Sequence, residues 1–268
     1  MGSKKIIKTE IMLNKLGKTI AIAKYTIDFE FRRFLPHTIV FLGLVFVGIS
    51  SSFNFFGMRF QERVFYDISL TLIGIFLLIL AISLGISNIA HEIERRIVYT
   101  FLSKPISRDE YFVGKFLGTS FFLFFAYLLF SIECFLIVYF YTKKLVLIIF
   151  AALGLQLIKS MIILAFCMLL SIFVSSPVNI TLTLLFYTFC ELSVLYVSTI
   201  SEGILQKILL YTKLFLPYFD YLNITQGVVF AAGTPINPWY VFFAFIYGIC
   251  YIIFFLSLCN LIFSKKEL

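Results

Sequence analysis

Long, unbroken apolar runs constrain this chain more than any other feature. They lie at about 37–56, 68–90, 116–141, 145–174, 178–199 and 239–263. Each is about 20 residues or longer, enough to cross a hydrocarbon core as helix. In lipid a helix is also how such a run satisfies its own backbone N–H and C=O groups. The runs are continuously apolar and do not alternate, which argues against a β-barrel. Only 13% of the residues are charged, against about a quarter in a soluble domain. The expected fold is an all-α multi-pass membrane protein with six transmembrane helices, made of a basic segment and interfacial helix (1–36) and one membrane domain (37–268).

Net charge is +8, and its placement reads as topology, with no call for a nucleic-acid partner. With the N-terminus inside, 15 Lys and Arg fall on the inner side and six on the outer, with Lys159 inside the fourth span. That is a clear positive-inside bias, so both termini and the 91–118 segment are expected in the cytosol. Within the first 36 residues, Ile20, Ala21, Ala23, Ile27, Phe31 and Phe34 recur near helical spacing, with Lys24, Asp28 and Arg32 between them. This predicts an amphipathic helix lying in the membrane interface against the lipid. Pro36 then breaks or redirects it. No apolar region precedes a small-residue cleavage site, so no cleavable signal peptide is expected. Five cysteines, Cys134, Cys167, Cys190, Cys250 and Cys259, all fall in apolar runs and read as small hydrophobes.

Segment 91–118 is the densest charged island, with nine Asp, Glu, Lys or Arg among 28 residues. Ile93, Ile97, Phe101 and Leu102 keep an apolar stripe beside Glu92, Glu94, Arg95 and Arg96. Lys104-Pro105 ends that helix. Ser107-Arg108-Asp109-Glu110 is a Ser-x-x-Glu capping box that starts the next one, and Asp109 and Glu110 suit the positive end of its dipole. Tyr111, Phe112, Lys115 and Phe116 lead into the third span. The island therefore reads as a helical elbow. Segment 200–238 is too interrupted to span; short helices on the outer face fit it, with Tyr218, Phe219, Tyr221, Trp239 and Tyr240 at headgroup level.

The chain carries no GxxxxGK[ST] loop, HExxH or GxSxG motif, and its two histidines, His37 and His91, lie in separate segments. No metal site or catalytic residue is predicted, and any ATP must be bound by another chain. Glu133, Lys159 and Glu191 are the ionisable residues inside spans. Counting along the spans brings the three near one level, so they could meet as an intramembrane polar cluster. Such a cluster either fixes helix packing or lines a path for a cationic or polar substrate.

The stretch from Glu92 through Thr100-Phe101-Leu102-Ser103-Lys104-Pro105-Ile106-Ser107-Arg108-Asp109-Glu110-Tyr111-Phe112-Val113-Gly114-Lys115-Phe116-Leu117-Gly118 resembles the pattern between the second and third spans of ABC-2 type transporter permeases. Six spans, a basic interfacial helix and an outer Leu216-Pro217 before the last span are similar too. Within that family the chain looks most like the subgroup associated with multicopper-enzyme maturation, such as the permease of the nitrous oxide reductase maturation system, although its cysteines and histidines give no sign of copper handling.

The resemblance implies an exporter-like permease of the cell inner membrane. It implies a homodimer, or a heterodimer with a related permease, working with a cytosolic ABC ATPase that binds ATP and Mg. It also implies that Glu92, Glu94, Arg95, Arg96, Pro105, Ser107, Arg108, Asp109, Glu110 and Lys115 form or hold the ATPase-coupling surface. Solvation at the membrane edge is the plainer role for the charges, and local capping for Ser107 and Glu110. Two readings stay open: a non-transporting scaffold or sensor that recruits a cytosolic partner through the same elbow, and an intramembrane enzyme. The missing nucleophile–base and metal pairs disfavour the second.

Overall fold

A computed structural model of the chain describes residues 2–50, 61–90, 107–142, 147–199, 216–224 and 237–265. The apolar runs are helices, and no strand occurs among the described residues. In order they are α1 (Gly2–Arg32), α2 (Phe34–Ser50), α3 (Gln61–Gly85), α4 (Arg108–Thr142), α5 (Leu147–Leu170), α6 (Ser176–Thr199) and α7 (Pro238–Lys265). A π-helix (Ile86–Ala90) continues α3, and a short 3-10 turn (Phe219–Leu222) precedes α7.

Among the described residues, four helices are long and apolar enough to cross a membrane, over Tyr66–Ile89, Asp109–Phe140, Ile149–Leu170 and Pro238–Ile262. The pair Leu16–Arg32 and Phe34–Ser50, bent by 65°, makes a fifth if it is one span. The run expected as the fifth span is covered by the 24 residues of α6. α3 starts at Gln61, before the apolar run, because Glu62, Arg63 and Asp67 can extend a helix beyond lipid.

The bend follows from Pro36. Its nitrogen cannot bond to the Arg32 carbonyl and its ring clashes there, so α1 ends one turn earlier. Pro36 then sits in the first turn of α2, where no N–H is required.

Helix α5 is the hub. Ile162, Ile163, Leu164 and Ala165 are buried in succession, the mark of a helix surrounded on all sides. α3 and α7 pack on it most extensively. By contrast, α2 and α7 leave Phe41, Phe46, Phe242, Phe243 and Phe254 exposed, as a lipid-facing surface would.

Helix α1 packs along the first half of α4 through two glycines one turn apart. A Cβ on Gly114 would lie 2.8 Å from Ile22 Cβ, and one on Gly118 would lie 2.6 Å from Thr26 Cβ and 2.7 Å from the Ala23 carbonyl oxygen. Small residues at this spacing let two backbones meet where lipid gives no hydrophobic drive. The buried stripe of α1 is Ile22, Thr26 and Glu30, whereas Ile20, Phe31 and Phe34 from the predicted apolar stripe are exposed. α1 therefore has a protein face that its amphipathic pattern did not display.

Candidate functional site

Helices α3, α5 and α6, together with the 3-10 turn, enclose a cleft of about 230 Å³. Lys159 of α5 reaches Glu191 of α6, Nζ to Oε2, at 2.5 Å. The ammonium also lies 4.9 Å from the Tyr187 ring centre and 5.1 Å from that of Phe219, so two aromatic faces add to the carboxylate in holding it. Gln156, one turn before Lys159, donates from Nε2 to the Leu70 carbonyl of α3 at 2.9 Å. Its Oε1 is buried without a partner among the described residues. Asp67, near the start of α3, is exposed and lines the same cleft.

The 3-10 turn closes one side of the cleft. Phe219 and Leu222 are fully buried there, and Phe219 packs on Phe186 and Tyr187. Three tyrosines of α7 hold the turn. The Tyr247 hydroxyl accepts from the Tyr218 N–H at 2.7 Å, Tyr251 donates to the Leu216 carbonyl at 3.3 Å, and Tyr240 to that of Tyr221 at 3.2 Å. Positions 240, 247 and 251 share one helix face. That spacing was the available signal for this contact. Phe219, expected at headgroup level, is instead inside the bundle, because the tight turn points its apolar residues at the cleft.

Of the three intramembrane ionisable residues, Lys159 and Glu191 meet and Glu133 stands apart. Glu133 lies on the side of α4 that faces α2, where a Cβ on Gly48 would be 3.4 Å from its Oε1. Its Oε2 is buried without a hydrogen-bond partner among the described residues. Depth along a helix fixes the level of a residue but not the direction it faces.

At the opposite end of the bundle, α4 begins with the predicted capping box. The Ser107 N–H donates to Glu110 Oε2 at 2.9 Å, and the Glu110 N–H donates to Ser107 Oγ at 3.3 Å. Asp109 is exposed and Glu110 buried. Lys115 is fully buried, with Tyr25 and Tyr111 ring centres 5.5 and 5.8 Å from its Nζ. It lies under α1 and so can support the elbow from behind but cannot present a charge on its surface. Glu92, Glu94, Arg95, Arg96 and Pro105 lie outside the described residues, and so does the side chain of Arg108.

At the end of α1 is a polar knot that sequence reasoning missed. Glu30 of α1 is fully buried. Its Oε1 accepts from Asn88 Nδ2 at 2.6 Å and Ser87 Oγ at 3.2 Å, both on the π-helix. Arg33 Nη1 lies 3.5 Å from the same oxygen. A buried carboxylate needs such donors. The knot ties the end of α1 to the last turn of α3, immediately before the segment read as the elbow.

The profile of the ABC-2 family transporter proteins matches residues 17–268. Among curated proteins, none matches the chain. The family match runs from α1 through α7 and takes in the cleft, the capping box and the knot together. With several helices apolar enough to cross a membrane, the chain is a multi-pass membrane protein and belongs to the ABC-2 family of transporter proteins.

Proposed function

We propose that the chain is the permease subunit of an ATP-binding cassette exporter. A separate cytosolic ATPase binds ATP and Mg and hydrolyses the nucleotide, and the membrane part is a homodimer or a pair with a related permease. The observation that carries the transport reading is the Lys159–Glu191 pair beside an open polar cleft. Ionisable groups inside spans are costly and normally face protein or a water-filled path; this pair faces both.

The excess of Lys and Arg at one end supports a cytosolic location for both termini and for 91–118. The elbow there is the ATPase-coupling surface. A push on it reaches α4 through the capping box, α1 through Gly114 and Gly118, and α3 through the Glu30 knot. Export as the direction rests on family likeness, an argument by analogy.

Purification of the full chain from its native membrane tests this reading. An ATPase is expected to co-purify, with hydrolysis that falls in Arg108→Glu or Glu94→Lys. If no ATPase associates with the intact chain, the reading fails.

A further inference from the structure

We propose that the cleft between α3, α5 and α6 binds a primary ammonium group carrying a compact apolar substituent. This names a substrate class for the transport reading and rests on it for purpose, though not for the binding itself.

Charge is the first argument. Among the described residues the charged side chains lining the cleft are Asp67, Lys159 and Glu191, two acids against one base. Lys159 is already engaged by Glu191 and by the rings of Tyr187 and Phe219. Among the described residues no cation is left over for an anionic ligand, and Asp67 at the exposed edge would repel one.

Hydrogen-bonding capacity points the same way. Gln156 has committed Nε2 to the Leu70 carbonyl, and its buried Oε1 has no donor among the described residues. Ser160 has committed its hydroxyl proton to the Leu157 carbonyl at 2.7 Å. Gln156 and Ser160 therefore offer acceptors, and a buried acceptor left unpaired is unfavourable. An ammonium brings both the positive charge and the N–H donors.

Shape supplies the apolar part. Leu70, Leu78 and Ile163 add apolar side chains to the lining beside the polar groups. The 230 Å³ cleft is the space of roughly eight waters, which restricts the ligand to a compact group. Gly74 opens the α3 side: a Cβ there would have its nearest neighbour, the Gln156 amide, at 3.5 Å.

A free amine and the headgroup of phosphatidylethanolamine share the primary ammonium, but only the amine carries an apolar substituent. The test is binding of tritiated phenethylamine to the full chain, without ATPase, in phosphatidylcholine nanodiscs. We expect saturable binding, weakened by about tenfold in Asp67→Asn through loss of a charged acceptor and abolished in Gly74→Leu, which fills the cleft. Phenethyl-trimethylammonium, phenylethanol and phenylpropanoate should compete poorly, since each lacks the N–H donors, the charge or its sign. Adding phosphatidylethanolamine separates the sources: retention of the tracer assigns the site to a soluble amine, whereas displacement assigns it to the headgroup, keeping the ammonium site but overturning the apolar substituent. Glu191→Gln alters the internal pair with Lys159 as well as the cleft, so the exposed Asp67 and the open Gly74 carry the test. Absence of saturable binding overturns the proposal. So does binding indifferent to both variants, or equal competition by phenylpropanoate. Because no ATPase is present, these outcomes leave the transport reading to its own experiment.

Discussion

Glu30 and Glu191 are both carboxylates set in a helix bundle, yet their surroundings differ at every point. Glu30 is fully enclosed, fed by two donors from the π-helix and one arginine, beneath a helix pressed onto α4 through two glycines. Glu191 is 37% exposed, paired to one lysine, and stands at the wall of an open cleft. A sealed carboxylate can do little except hold elements together, and removing it leaves buried donors unpaired. A carboxylate beside open space can exchange partners. The contrast divides the molecule into an anchored end, where α1, α3 and α4 are tied, and a cleft end built to accommodate something.

The contrast can be broken or sharpened by substitution, most severely at the anchored end. Gly118→Leu drives a side chain into the Ala23 carbonyl and Thr26; overpacking there is expected to cost about 3 kcal/mol, read as a lowered melting temperature and protease access to α1. Glu30→Leu comes next. It strands the Ser87 and Asn88 donors, at about 1–3 kcal/mol, although both also reach the Leu84 carbonyl. Glu191→Gln keeps an acceptor for Lys159 in a partly exposed place and is expected to cost less than about 1 kcal/mol while changing ATP-driven transport. Gly17→Ala, with open space around its Cβ position, should stabilise α1 by no more than about 1 kcal/mol. A large loss there would mean that α1 is packed differently from this description.

Much of this fold was legible in the chain. Apolar length placed the helices, Pro36 placed the bend, and Ser-x-x-Glu placed the start of α4, since each depends on residues within a turn or two of one another. The partners across helices were not legible. Glu30 was not singled out, because its donors are 57 and 58 positions away. Glu133 seemed to share a level with Lys159 and Glu191, but the direction it faces depends on how α4 rolls against α2. Lys115 read as part of a coupling surface because it stands in the charged island, and the packing of α1 hides it. The Gly114-x-x-x-Gly118 spacing is a helix-docking signal that was not read as one.

The most direct test measures melting temperature and ATP hydrolysis on the same purified complexes of Glu30→Gln and Glu191→Gln. The account predicts that Glu30→Gln lowers the melting temperature, with hydrolysis following the folded fraction. It predicts that Glu191→Gln melts like the unmodified protein but hydrolyses ATP at a changed rate. Equal destabilisation by the two variants, with hydrolysis altered only in proportion, would contradict the division between a sealed anchor and a working cleft.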